Sequence, residues 1–123
     1  MEPRKLTILV VDDEPPMRHL VRRALENCGY TVLEAETGAA AIDIARDQPI
    51  DALVTDVVMP GMSGLELVTV LHASGAVRRF LVMSGMSAAE AVAGLPCPAT
   101  FLSKPVEPEA VAGVVRNLLA LEG

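Results

Sequence analysis

The sequence predicts an α/β fold: a five-stranded parallel sheet of order 2-1-3-4-5 with helices on both faces, the flavodoxin-like doubly wound arrangement. Three observations carry that expectation. Short apolar runs alternate with helix-like segments five times along the chain. The first of them, Leu6–Val11, is continuous and β-branched, as a central strand buried on both faces must be. The runs also end in polar side chains: Leu6–Val11 in Asp12-Asp13, Ala52–Thr55 in Asp56, Phe80–Met83 in Ser84, and Thr100–Ser103 in Lys104-Pro105. In an open parallel sheet the carboxyl ends of the strands share one edge, and the order 2-1-3 makes the acidic ends of the first and third strands neighbours across a switch point. Three carboxylates, a hydroxyl and a lysine should therefore meet in one cleft.

Each element has its own signal. After the first strand, Pro15 and Pro16 suit a helix start and Gly29 its end. Met17, Leu20, Val21, Ala24, Leu25 and Cys28 form a stripe at helical spacing, with Arg18, His19, Arg22, Arg23 and Glu26 left for solvent. Tyr30–Ala35 alternates as a second strand. Thr37 can cap a helix reaching Arg46, with Ala41, Ile42 and Ala45 inward. Ile50–Thr55 is the third strand, and residues 59–64, Met-Pro-Gly-Met-Ser-Gly, are turn chemistry. Leu65–Ala73 follows as a helix with Leu67, Val68 and Leu71 inward, then Arg79–Ser84 as the fourth strand. Ser87–Leu95 is alanine-rich and weakly periodic, so a short helix is expected there. Pro96 and Pro98 separate it from the strand Thr100–Ser103. Glu107 and Glu109 favour the positive start of a last helix, whose stripe is Val111, Val114, Val115, Leu118 and Leu119.

Composition narrows the function classes. The 123 residues suit one domain, 1–123, with one core, and no internal repeat or linker interrupts them. Because 51% of residues are hydrophobic and only 2% aromatic, that core must be aliphatic. A formal net charge of −6 argues against direct nucleic-acid binding. Cys28 and Cys97 have neither metal-ligand nor redox spacing, so both are expected as thiols in a reducing cytoplasm. No apolar stretch approaches the ~20 residues needed to span a bilayer, and no signal-peptide pattern opens the chain.

The converging residues have a definite chemistry. Packed carboxylates repel, and each is costly to ionise without a countercharge. A hard divalent cation resolves this, and Mg²⁺ prefers oxygen ligands while keeping several waters. Asp13 and Asp56 are the expected direct ligands, with Asp12 holding a coordinated water and the backbone carbonyl of Val58 completing the protein's share. Asp56 can also be a nucleophile, since carboxylates form aspartyl phosphates. Lys104 then stabilises charge on the phosphoryl oxygens. Pro105 after it points to an unusual turn, with a cis peptide aiming Lys104 into the cleft.

At Val-Asp-Asp-Glu (11–14), Thr-Asp-Val-Val-Met-Pro-Gly-Met-Ser-Gly (55–64), Met-Ser-Gly (83–85) and Phe-Leu-Ser-Lys-Pro (101–105), the chain resembles the receiver domain of two-component response regulators. The motifs span nearly the whole chain. The resemblance implies that Asp56 accepts a phosphoryl group from a phosphohistidine on a histidine kinase or histidine phosphotransfer protein. It also implies Asp12 and Asp13 as the magnesium acids, Ser84 as the switch hydroxyl, Phe101 as the switch aromatic and Lys104 as the active-site lysine. Val58 and Met86 would flank the line of water attack. Ser84 replaces the commoner threonine, and the stretch from Ser84 to Lys104 is short, which is similar to receivers fused to sensor kinases. The chain is expected to act alone or within a hybrid kinase or larger regulator. The exposed face of the first helix, with Arg18, His19, Arg22 and Arg23, reads either as a solvated helix face or as the docking face for the phosphodonor, the solvated face being the commoner case.

Two other classes fit less well. A haloacid-dehalogenase-type phosphatase wants Asp-x-Asp after the first strand and a cap domain, whereas here the pair is adjacent and the chain short. A flavin-binding module wants a Ser/Thr/Gly-rich phosphate loop, where this chain has Asp-Asp-Glu-Pro-Pro.

Overall fold

A computed structural model describes residues 5–85, 90 and 95–120. Five parallel strands alternate with helices: β1 (Thr7–Val11), α1 (Pro15–Asn27), β2 (Thr31–Ala35), α2 (Gly38–Asp47), β3 (Ala52–Asp56), α3 (Gly64–Ser74), β4 (Phe80–Ser84), β5 (Thr100–Ser103) and α4 (Pro108–Ala120). The sheet order is β2-β1-β3-β4-β5, as the sequence predicts. The helix expected over Ser87–Leu95 lies largely outside the described residues, as does Met86.

The sheet divides the core into two layers, and strand alternation decides which residue enters which. Leu9, Val11, Leu53, Phe80 and Val82 face α2 and α3, meeting Ala41, Leu67, Val68 and Leu71. Ile8, Val10, Val32, Val54, Leu81 and Met83 face α1 and α4, meeting Val21, Leu25, Val111 and Val115. β3 and β4 are buried at every position, which is why their sequences show no polar alternation.

Several boundaries move for local reasons. β3 begins at Ala52 because Asp51 is tied to the start of β1 instead: its N–H donates to the Thr7 carbonyl at 2.8 Å, and its carboxylate accepts from the Thr7 N–H at 2.7 Å. Helix α3 begins at Gly64 because Ser63 and Glu66 form a reciprocal capping box. Thr37 caps α2, its hydroxyl accepting from the Ala40 N–H at 3.1 Å. Helix α1 has no side-chain cap. Its first two positions are Pro15 and Pro16, which bring no N–H to satisfy.

The face of α1 differs most from expectation. Leu20 is 50% exposed, and Cys28 is exposed too, so the buried stripe narrows to Val21 and Leu25 with Met17 and Ala24 partly covered. Conversely, Arg18 and Arg22 are not simply left for solvent. Arg18 Nε and Arg22 Nη1 each donate to one oxygen of Glu34 on β2, both at 2.8 Å. Cys28 and Cys97 are both free thiols.

Candidate functional site

The carboxyl ends of β1, β3, β4 and β5 deliver Asp12, Asp56, Ser84 and Lys104 to one edge. Asp56 is the last residue of β3, in register with Met83. Asp12 follows β1 directly, and its N–H donates to the Ala35 carbonyl at 3.2 Å, continuing the ladder to β2. The Lys104 N–H donates to the Ser84 carbonyl at 2.9 Å, continuing the ladder between β4 and β5. The Lys104–Pro105 peptide is cis, as expected from the sequence. Each site side chain therefore projects from backbone that the sheet fixes.

Asp12, Asp56 and Ser84 are nearly fully buried, which is unusual for two acids in one pocket. Lys104 supplies the countercharge, its ammonium donating to Asp56 Oδ2. Burial lowers the Lys104 pKa, but the hydrogen bond and charge of Asp56, with the charges of Asp12 and Glu14, outweigh it and hold the ammonium above its ordinary value. Asp12 shifts the other way for a carboxylate. Burial raises its pKa and the Asp56 charge adds to that, while the Glu14 N–H and Lys104 only partly oppose it.

Asp12, Asp13, Glu14 and Asp56 each offer an oxygen, all within 4.8 Å of one another. The Glu14 N–H donates to Asp12 Oδ1 at 2.9 Å, and the Val58 N–H to Asp56 Oδ1 at 3.3 Å. Asp12 Oδ2 is buried with no hydrogen-bond partner among the described residues. A buried carboxylate oxygen left bare, in an all-oxygen cluster with an excess of negative charge, fits a hard divalent cation such as Mg²⁺. Glu14 is a neighbour of the cluster that the sequence reading did not single out. Its signal is its position, directly after the acidic pair.

Phe101 and Ser84 share the α2/α3 face of the sheet. Phe101 pairs with Val82, two residues before Ser84, and is partly buried against the core layer on that side. The Val58 side chain is 73% exposed, on the loop that leaves β3. That loop turns tightly. The Gly64 N–H donates to the Val57 carbonyl at 2.8 Å, and a Cβ at Gly64 would stand 1.9 Å from the Asp56 carbonyl oxygen. Backbone cannot yield as a flexible side chain does, so Gly64→Ala should cost about 1–3 kcal/mol, the range for overpacking. Chemical denaturation should show a lower midpoint with an unchanged slope, and an unchanged midpoint would contradict the close approach.

The profile of the response regulator receiver domain matches residues 8–116, from β1 into α4. The chain belongs to that family. Among curated relatives, the response regulator MprA of Mycobacterium avium is 43% identical over 117 residues, covering 93% of this chain and 51% of its own length. MprA of Mycobacterium tuberculosis H37Ra is 44% identical over 115 residues, covering 91% of this chain and 50% of its own. The receiver thus spans about half the length of the curated relatives it matches. Among solved structures, the receiver domain of the hybrid histidine kinase CckA is 35% identical with a TM-score of 0.74, covering 92% of this chain and 98% of its own. Vibrio cholerae CheY4 is 25% identical with a TM-score of 0.84, covering 94% and 100%. Among the described residues, no helix of this receiver is long and apolar enough to cross a membrane.

Proposed function

We propose that this receiver accepts a phosphoryl group on Asp56, in a magnesium-dependent transfer from a phosphohistidine of a histidine kinase or phosphotransfer protein. The observation that carries this reading is the pairing of Asp56 with Lys104 beside the bare Asp12 oxygen: a nucleophile, a cation for the incoming phosphoryl oxygens, and an acidic oxygen suited to a metal, at one edge of the sheet. Asp56 Oδ1 accepts from the Val58 N–H and Oδ2 from Lys104, so the carboxylate is oriented before any donor arrives.

In the transfer, a carboxylate oxygen of Asp56 bonds to phosphorus as the bond from phosphorus to the donor's imidazole nitrogen breaks, and the nitrogen keeps that electron pair. Asp12, Asp13 and Asp56, with the Val58 carbonyl, are the proposed holders of Mg²⁺. Bound there, it supplies Lewis-acid neutralisation of the phosphoryl charge. Lys104 then moves from the carboxylate to a phosphoryl oxygen. The Ser84 hydroxyl donates to another, and Phe101, on the same face, fills the space that Ser84 leaves. These contacts exist only in the phosphorylated state, so they can shift a conformational equilibrium.

Intact-protein mass spectrometry after incubation with acetyl phosphate tests the reading. A single phosphoryl adduct is expected with Mg²⁺ and none with chelator or in Asp56→Asn. An adduct of equal yield in Asp56→Asn would contradict it.

The lifetime of the adduct follows from Val58. Its side chain is apolar and exposed beside the nucleophile, so it cannot orient an attacking water by hydrogen bonding. Val58→Asn should speed loss of the phosphoryl group several-fold with little effect on stability, because the position is at the surface. Decay followed by mass at fixed Mg²⁺ checks this, and an unchanged half-life would count against it.

A further inference from the structure

Asp12 is restrained on three sides. Its N–H donates to Ala35 on β2 at 3.2 Å, and its Oδ1 accepts from the Glu14 N–H at 2.9 Å. Its backbone carbonyl accepts from Arg18 Nη1 at 2.7 Å. Only Oδ2 is left, buried and unpartnered among the described residues. Arg18 is itself fixed. Its Nε donates to Glu34 Oε1 at 2.8 Å, and the two side chains are only 12% and 15% exposed. The other oxygen of Glu34 accepts from Arg22 Nη1 at 2.8 Å, and Arg22 Nε donates to Glu26 at 3.1 Å.

We propose that Arg18 is a positioning residue for the acidic site. One planar guanidinium ties the Asp12 carbonyl to a carboxylate on the neighbouring strand and so sets where Asp12 Oδ2 stands. The geometry requires arginine. Two donors of a rigid fork act in different directions at once, which the single ammonium of lysine cannot reproduce. Glu34 has a second role: together with Glu26 it offsets the two positive charges of Arg18 and Arg22. The tie therefore brings no free positive charge to a site meant for a cation. Neither reading of the arginine-rich face of α1, solvated or docking, describes Arg18, whose donors go inward to Asp12 and Glu34.

This inference rests on the reading of the acidic cluster as a magnesium site. Outer partners of metal ligands typically change metal affinity by about ten- to a hundred-fold when removed. Calorimetric Mg²⁺ titration of the full chain should show weaker binding by about tenfold in Arg18→Gln and in Arg18→Lys, with adduct formation from acetyl phosphate restored at saturating Mg²⁺. Arg22→Gln removes the other arm of Glu34 but not the Asp12 contact, and should lower stability while leaving Mg²⁺ affinity near wild type. A structural role alone would move stability in all three variants alike. Wild-type affinity in both Arg18 variants would overturn the proposal, as would equal weakening in Arg22→Gln. Arg18→Lys keeps the charge and much of the aliphatic stem, so it serves if Arg18→Gln does not fold. Wild-type protein that binds no Mg²⁺ would instead overturn the magnesium reading, and the inference with it.

Discussion

Replacing Lys104 by alanine is expected to slow phosphorylation from acetyl phosphate by about a hundred- to a thousand-fold at saturating Mg²⁺, the usual effect of deleting one preorganised donor to developing anionic charge. The ground for this is geometric. The Lys104 backbone is locked to Ser84, and its ammonium already sits on Asp56. It therefore needs little rearrangement to meet a phosphoryl oxygen bonded to that carboxylate. The variant should also reveal the pair's static role. Without Lys104 the buried Asp56 loses its countercharge, so the melting temperature in chelator should fall. Added Mg²⁺ should recover much of that loss, since either cation offsets the same carboxylate. Initial rates by mass spectrometry and melting curves with and without Mg²⁺ check both parts. A rate within threefold of wild type would remove Lys104 from the chemistry.

The second large effect is a reversal of sign at Asp12. In the folded protein burial and the Asp56 charge hold the Asp12 pKa above its ordinary value of 3.8. A carboxylate whose folded pKa is raised contributes stability below its unfolded pKa, and that contribution is lost as pH rises through the folded pKa. At neutral pH the ionised group therefore weakens the metal-free fold. Asp12→Asn keeps an oxygen to accept from the Glu14 N–H and removes the charge. In chelator at neutral pH it should melt higher than wild type, and the difference should shrink as pH falls below the carboxylate range. With Mg²⁺ the order should invert. Wild type gains by mass action from a ligand that binds only the folded state, and the variant gains little. Each kcal/mol corresponds to roughly 4 °C in a domain of this size. The same order of melting temperatures in both conditions would contradict the assignment of Asp12 to the cation.

Much of this was legible in the sequence because the fold puts its chemistry at strand ends. A short apolar run followed by Asp, twice, and by Lys-Pro once, is a pattern that a parallel sheet converts directly into a cleft. The sheet order, the buried faces of β3 and β4 and the convergence of Asp12, Asp56, Ser84 and Lys104 all follow from it. What the sequence reading missed involves contacts between elements. Helical periodicity assigns Arg18 to solvent because it counts only the angle around α1. It contains nothing about β2, whose Glu34 lies on the same face of the sheet as Val32 and reaches that helix. A signal was present: a single acid within the apolar strand Thr31–Ala35, following a helix with two arginines one turn apart. The capping box at Ser63 and Glu66 was also readable, being a Ser-x-x-Glu spacing, but the preceding Pro-Gly turn drew the helix start one residue too late. Leu20 shows the opposite error. It satisfies the apolar period yet stands half exposed, because it lies at the edge of the stripe whose centre, Val21 and Leu25, meets the sheet.

In the proposed function Asp56 itself carries the phosphoryl group. An acyl phosphate is reduced by borohydride to the alcohol, which a free carboxylate resists. Treating the acetyl-phosphate-reacted protein with borohydride and sequencing its peptides by tandem mass spectrometry therefore locates the adduct. Conversion of residue 56 to homoserine, dependent on Mg²⁺ and confined to that position, is the predicted result. Conversion at Asp12 or Asp13 with Asp56 untouched, or at no aspartate at all in protein that carries the adduct, would contradict it.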